Sequence, residues 1–151
     1  MRLKYRFFVV QVDFEAADVA AVAPSLTSAE LFAALRASFA ENYGEVGAGA
    51  GAQLLACLYY SPVTRLGILR GAAPLAAQVH AAIALIRTVR KVPAAVRVLQ
   101  VASTRRALRD AMLRIQESLV AAMRSSAARD ALVLDAAFLD ALDADLDDAL
   151  S

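Results

Sequence analysis

The alternation of apolar and polar positions near the start of the chain predicts a strand over residues 4–14. One face of this strand would carry Phe8, Val10, Val12 and Phe14, and the other face would carry Tyr5, Phe7, Val9 and Gln11. A strand with one solvated face has polar residues at alternate positions, whereas both faces here are largely apolar. We therefore predict a central strand in a sheet that is covered on both sides.

A helix pattern follows this strand. The residues Thr27-Ser28-Ala29-Glu30 have the form of a capping box, and the helix that they open is predicted to end at Gly44. Glycines alternate over residues 46–51, as they do in some phosphate-binding loops. Such loops are followed by a lysine and a helix, and neither is found here. We interpret this stretch as a flexible connector.

The middle of the chain predicts a hairpin and a second helix. Strand patterns over residues 53–60 and 65–71 are separated by a turn that contains Pro62, so the two strands are expected to be antiparallel. A helix is predicted to start near Ala73-Pro74, because apolar residues then recur at helical spacing. Pro93 is expected to end this second helix.

A last strand over residues 94–102 and a third helix over residues 105–123 complete the pattern. The order is β-α-β-β-α-β, followed by α. This order predicts a mixed α/β chain of the α+β type. Its antiparallel sheet would have the split βαβ topology of ferredoxin-like and RRM-like domains. The third helix is expected to cover the face of the sheet that the first two leave open, in agreement with the two apolar faces of the first strand.

Charge divides the chain into two parts. Residues 1–124 hold 15 Lys and Arg against 8 Asp and Glu, a net charge of +7, whereas residues 125–151 hold 1 against 7, a net charge of −6. We predict one globular domain over residues 1–124 and an acidic, amphipathic tail over residues 125–151. The tail either packs on a folded surface, of this chain or of a partner, or is disordered until assembly.

The composition favours neither a membrane protein nor an enzyme. No apolar run approaches the length of a bilayer span, although 60% of the residues are hydrophobic. The one cysteine, Cys57, lies in an apolar strand and is expected to be an inert thiol, as in proteins of reducing compartments. The one histidine, His80, lies on a helix, and no cluster has metal-ligand spacing. We expect no catalytic residue, no metal site and no cofactor bound by the protein itself.

The strongest candidate for binding is the junction between the last strand and the third helix. The apolar run ends at Ser103-Thr104, and the helix then carries Arg105, Arg106 and Arg109. A Ser or Thr at this place can cap the helix, whose first N–H groups and positive dipole end favour phosphate. The guanidinium groups add bidentate donors. The junction therefore predicts an anion-binding site.

The order of these segments resembles the Pop-five family of protein subunits of ribonuclease P and ribonuclease MRP. The resemblance covers roughly residues 1–123 and is carried by Arg2-Leu3-Lys4-Tyr5-Arg6-Phe7-Phe8-Val9-Val10, Tyr43-Gly44-Glu45-Val46-Gly47, Tyr59-Tyr60-Ser61-Pro62-Val63-Thr64, Ile68-Leu69-Arg70 and Ser103-Thr104-Arg105-Arg106. Thr104 and Arg106 match the family's glycine-threonine-hydrophobic-arginine motif, whereas Ser103 and Arg105 depart from it. Gly71-Ala72-Ala73 also departs from the family, which commonly has further basic residues there.

The resemblance implies a protein that binds and braces a catalytic RNA, which itself holds Mg²⁺ and cleaves precursor tRNA or pre-rRNA. The RNA-binding residues would be Arg2, Lys4, Arg6, Arg70, Thr104, Arg105, Arg106 and Arg109. Further implied partners are a related small RRM-like subunit and a barrel-shaped subunit. The implied location is the nucleus and nucleolus, or the cytoplasm if the source is archaeal.

The residues alone leave a second function class open. A ferredoxin-like regulatory or oligomerisation module that binds no RNA would have the same order of elements. Base stacking on the sheet, as in RNA recognition domains, is not favoured, because Phe7, Tyr59 and Tyr60 are more typical of core or edge positions. RNA contacts are therefore expected to run through arginines and the backbone.

Overall fold

The computed structural model describes residues 4–14, 25–52, 54–62 and 64–123. Arg2 and the predicted tail, residues 125–151, lie outside the described residues. The elements in chain order are β1 (Tyr5–Phe14), α1 (Ser28–Ala52), β2 (Ala56–Tyr60), β3 (Leu66–Ala72), a 3₁₀ turn (Ala73–Leu75), α2 (Ala76–Ala84), β4 (Thr88–Val89), β5 (Val92–Ala102) and α3 (Arg105–Met123).

The strands form one antiparallel sheet in the order β2-β3-β1-β5-β4, so β1 lies at its centre as predicted. Phe7 is the clearest register marker, because it pairs with Arg70 of β3 on one side and with Ala102 of β5 on the other. Without β4, this strand order is that of a ferredoxin-like sheet. The predicted fold class is confirmed.

The two apolar faces of β1 belong to two separate cores. On one side, Phe8 and Val10 pack with residues of α1 and α2 such as Leu35 and Ile83. On the other side, Phe7 and Val9 pack with residues of β3 and α3, which include the fully buried Leu108 and Met112. Helix α3 therefore covers the second face of the sheet, as the two-sided pattern of β1 predicted.

The capping box at the start of α1 has the predicted geometry. The N–H of Glu30 donates to Oγ1 of Thr27 at 3.3 Å, and the N–H of Thr27 donates to Oε2 of Glu30 at 3.4 Å. Two N–H groups that the helix itself cannot satisfy are thereby paired. The helix begins at Ser28 for this reason.

The predicted connector over residues 46–51 is wrong. Gly44 interrupts the helix with φ 78° and ψ 165°, a conformation that suits glycine, but helical backbone resumes beyond it and continues to Ala52. The predicted stop at Gly44 is therefore a kink. Alternating glycines lower helix propensity without forbidding the helix, so the composition of residues 46–51 was a poor guide.

The predicted course of the chain between α2 and β5 is also wrong. Helix α2 ends at Ala84, and the chain then forms the short strand β4 and turns back through Arg90 and Lys91 into β5. Both turn residues have positive φ, 56° and 64°, which is the turn that joins two-residue hairpins. Pro93 does not end a helix. It lies within β5 and pairs with Thr88.

Candidate nucleic-acid interface

The strand registers bring most of the predicted RNA-binding residues to one end of the sheet. Strand β1 starts at this end, and its antiparallel neighbours β3 and β5 finish there, because Phe7 pairs with both Arg70 and Ala102. The N–H of Ala73 donates to the carbonyl of Lys4 at 2.8 Å, which ties the same corner together. We call this surface the arginine end; it consists of Lys4, Arg6, Arg70, Thr104, Arg105, Arg106 and Arg109.

Thr104 caps α3 as predicted. Its Oγ1 accepts a hydrogen bond from the N–H of Ala107 at 3.1 Å, and its carbonyl accepts one from the N–H of Leu108 at 3.0 Å. Arg105, Arg106 and Arg109 are exposed, and the first turn contains no acidic residue. The positive dipole end of α3 therefore lies at the surface beside three exposed arginines.

Arg70 is held in place by an aromatic ring. Its guanidinium carbon lies 4.5 Å from the centroid of the Tyr5 ring, a distance at which a cation and a π-system attract each other. Its Nε is buried and has no hydrogen-bond partner among the described residues. Tyr5 and Arg70 are diagonal neighbours across β1 and β3, since Tyr5 pairs with Ala72. Sequence reasoning missed this role of Tyr5, because it depends on the register.

Lys4 and Arg6 differ in their surroundings. Lys4 is exposed, whereas Arg6 is half-buried and its guanidinium donates to the carbonyl of Tyr5 at 3.3 Å. Side chains of neighbouring strand residues point to opposite faces, so Arg6 lies on the α1 and α2 side of the sheet and Arg70 on the α3 side. The arginine end therefore presents positive charge on both sides of the sheet edge.

Gly71 lies where α2 packs closely on β3. A Cβ atom at this position would lie 2.9 Å from Cγ2 of Val79 in α2, closer than real Cβ contacts allow. A basic side chain at this position would push α2 away from β3. The sequence therefore has no additional basic residue at this point of the arginine end.

The sheet does not offer a base-stacking platform beneath α3. Phe7 is only 5% exposed and packs under Leu108 and Met112. Tyr59 and Tyr60 are half-buried at the edge strand, in agreement with the core or edge positions predicted for them. Nucleic acid at the arginine end would therefore meet guanidinium groups and helix N–H groups rather than a row of open rings.

The remaining candidates for other functions are a cysteine, a histidine, groups of metal-ligating side chains and membrane-spanning helices. Burial raises the pKa of the Cys57 thiol to about 12, so this side chain is a protonated thiol at neutral pH, as expected of an inert cysteine. His80 is exposed on α2, with its ring centroid 6.1 Å from that of Phe8. Within the described ranges, no group of three or more His, Cys, Asp or Glu could hold a metal ion. None of the described helices is long and apolar enough to cross a membrane.

Comparison with known proteins identifies the family of this chain. The model of the Rpp14/Pop5 family matches residues 6–113, well over half of the chain. The chain belongs to the Rpp14/Pop5 family. The matched residues include nine of the ten residues of β1, Arg70 and the whole first turn of α3.

One curated relative and one solved structure are informative. The Ribonuclease P/MRP protein subunit POP5 of Schizosaccharomyces pombe is 39% identical over 80 residues, which are 53% of this chain and 58% of the relative. The match therefore spans less than two thirds of the relative's length. A chain in the cryo-EM structure of yeast Ribonuclease MRP has the same fold at a TM-score of 0.57 and 14% identity, over 79% of this chain and 96% of that chain.

Proposed function

We propose that this protein is an RNA-binding subunit of ribonuclease P, of ribonuclease MRP, or of both, and that the arginine end grips the phosphate backbone of the particle's RNA. The observation that carries the proposal is the convergence of one lysine, five arginines and an acid-free helix N-terminus at one end of the sheet. Phosphate is the ligand that such donors favour. The name of the fission yeast relative supports the choice of particle.

In this proposal the protein braces the RNA and contributes no catalytic residue. The RNA would hold Mg²⁺ and cleave precursor tRNA at its 5′ leader, or pre-rRNA in the MRP particle. A related small RRM-like subunit and a barrel-shaped subunit would assemble beside this chain. The nucleus and nucleolus would be its location, or the cytoplasm in an archaeon.

The test is the salt dependence of binding to ribonuclease P RNA or MRP RNA. The full chain should bind with an affinity that falls steeply as salt rises, because each phosphate contact releases counterions. Arg106→Ala should lower affinity several-fold and reduce the slope of log affinity against log salt by about one unit, with unchanged circular dichroism.

Arg114→Ala is the matched control for this experiment. Arg114 is exposed on the same helix as Arg106 but lies two turns further along, outside the arginine end. Its substitution should leave the salt slope unchanged. Absent or salt-independent binding by the full chain would overturn the proposal and favour the regulatory or oligomerisation module. Equal effects of the two substitutions would count against the arginine end as the contact.

A further inference from the structure

A second group of basic residues lies at the opposite end of the sheet. Arg87, Arg90 and Lys91 are exposed around the turn between β4 and β5, and we call this surface the hairpin end. Strand β5 has 11 residues and starts there. At about 3.3 Å per residue it separates the hairpin end from the arginine end by roughly 30 Å.

The hairpin end is concave and partly apolar. Two hollows, of about 530 and 330 Å³, flank the segment Leu85–Arg87, and this segment lines both of them. Phe14 and Ala94 line the larger hollow together with Asp13, and Ala34 lines the smaller one together with Glu41. Leu85 is 45% exposed and lines both hollows. The surface thus offers an apolar ridge beside basic groups.

Acidic residues of this chain already meet some of the basic groups at this end. Arg90 lies 3.8 Å from a carboxylate oxygen of Glu30 and donates to Oγ of Ser25 at 2.6 Å. Within the described part of the chain, Arg87 and Lys91 have no ion pair. Positive charge therefore remains available beside Leu85.

The acidic tail has the complementary pattern. Its apolar residues recur every four positions and are Leu134, Phe138, Leu142, Leu146 and Leu150. The aspartates between and beside them are Asp140, Asp143, Asp145, Asp147 and Asp148. An apolar stripe flanked by carboxylates matches an apolar ridge flanked by basic groups.

The tail can reach the hairpin end from where α3 stops. Helix α3 starts at the arginine end and has 19 residues, so it carries the chain about 28 Å away from that end. Leu119, near its finish, packs on the cluster that includes Leu66, where β3 begins. The ten residues 124–133 can span up to about 33 Å when extended.

We propose that residues 134–150 dock on the hairpin end of the same chain. The apolar stripe covers Leu85 and its two hollows, and the aspartates face Arg87, Arg90 and Lys91. The tail thereby neutralises the second basic surface, and the arginine end is left as the one open to a polyanion. This docking concerns surfaces outside the arginine end and does not depend on the proposed RNA particle.

The test is hydrogen exchange of the full chain in the absence of RNA. The tail amides should exchange at least 10-fold more slowly than an unstructured peptide. Arg87→Glu should reduce this protection about 10-fold, and adding Asp143→Lys should restore much of it, because the reversed pair attracts again. Leu85→Asp, which removes the apolar ridge, should also expose the tail.

Arg114→Glu serves as the control, since Arg114 is exposed on α3, which covers the other face of the sheet and lines neither hollow. It should leave the tail protected, and the amides of β1 should stay protected in every variant, which shows that the domain is folded. An unprotected tail in the full chain overturns the proposal. The proposal is also overturned if the tail loses its protection with Arg106→Glu but keeps it with Arg87→Glu. Protection that rises with protein concentration overturns it as well, because it indicates that the tail of a second copy binds instead.

Discussion

Two helices of this protein start with the same capping residue and differ three positions later. Helix α1 follows Thr27 and has Glu30 in its first turn, whereas α3 follows Thr104 and has Ala107 at the equivalent place. The carboxylate of Glu30 occupies the positive end of α1 from within the chain. The positive end of α3 has no such group, so it remains open to an anion from outside.

Acidic side chains of the chain itself also lie beside two arginines outside the arginine end. Arg97 donates to Asp13 at 2.7 Å and to Gln11 at 2.8 Å, and Arg90 lies beside Glu30. At the arginine end, the first turn of α3 carries arginines and no acid. The placement of acidic residues near arginines therefore bears on phosphate binding as well as the number of arginines.

The largest expected effect distinguishes the contribution of the arginine end to RNA affinity from that of the hairpin end. Replacing the three helix arginines, Arg105, Arg106 and Arg109, with alanine should weaken RNA binding about 100-fold, since each charge-assisted contact contributes about 1 kcal/mol. Replacing Arg87, Arg90 and Lys91 should change the affinity only a few-fold. Titration of both triple variants with ribonuclease P or MRP RNA at one fixed salt concentration checks this. Equal losses would show that the two ends bind alike.

A smaller effect should follow when α3 is given the acid that α1 has. Ala107→Glu completes a capping box with Thr104, so helix stability should be kept or rise by about 0.5 kcal/mol while RNA affinity falls several-fold by repulsion of phosphate. Urea unfolding and RNA titration measure the two quantities. Ala107→Gln is the neutral control of the same shape and should bind RNA more tightly than the Glu variant. Equal RNA affinities of the two variants would contradict a role of the N-terminal dipole of α3 in RNA binding.

The smallest effect concerns the ion pair between Asp13 and Arg97. Both side chains are partly exposed, at 37% and 60%, so solvent weakens their attraction. Asp13→Asn should therefore change the free energy of unfolding by less than about 1 kcal/mol, and RNA binding should rise by no more than about twofold. Urea unfolding at low and high salt checks the first expectation. A gain in RNA affinity near 10-fold would show that Asp13 masks a real binding surface.

The central position of β1 and the place of α3 could be predicted because they depend on a long, regular pattern. Ten residues of β1 alternate between two apolar faces, and only a sheet covered on both sides buries both. The cap of α3 could be predicted for a similar reason, since Thr104 stands directly before the helical spacing begins. The gathering of the arginines then follows from the antiparallel order of the strands.

The β4 hairpin could not be predicted because its turn lacks the usual residues. Arg90 and Lys91 adopt positive φ, which Asn and Gly normally supply at such turns. In addition, Ile86 is buried and continues the apolar spacing of α2, although the helix has already ended at Ala84. The helical pattern therefore extended past the helix, and Pro93 was misread as its stop.

The contact between Tyr5 and Arg70 could not be predicted from the sequence, for a different reason. Two residues from distant parts of the chain meet there only because β1 and β3 pair in one particular register. A shift of β3 by one residue relative to β1 would turn Arg70 to the face opposite Tyr5. The residue propensities and the spacing within one segment carry no information on the register in which two strands pair.

The pairing of β1 with β5 has a consequence for the order in which this protein becomes functional during synthesis. The residues that meet at the arginine end come from the first strand, from Arg70 and from the segment after Ala102, so they are separated by most of the domain. Contacts of such long sequence separation form late, because the intervening chain must first be made and closed. A nascent or truncated chain that lacks β5 cannot assemble the arginine end, so the proposed RNA contact requires the finished domain.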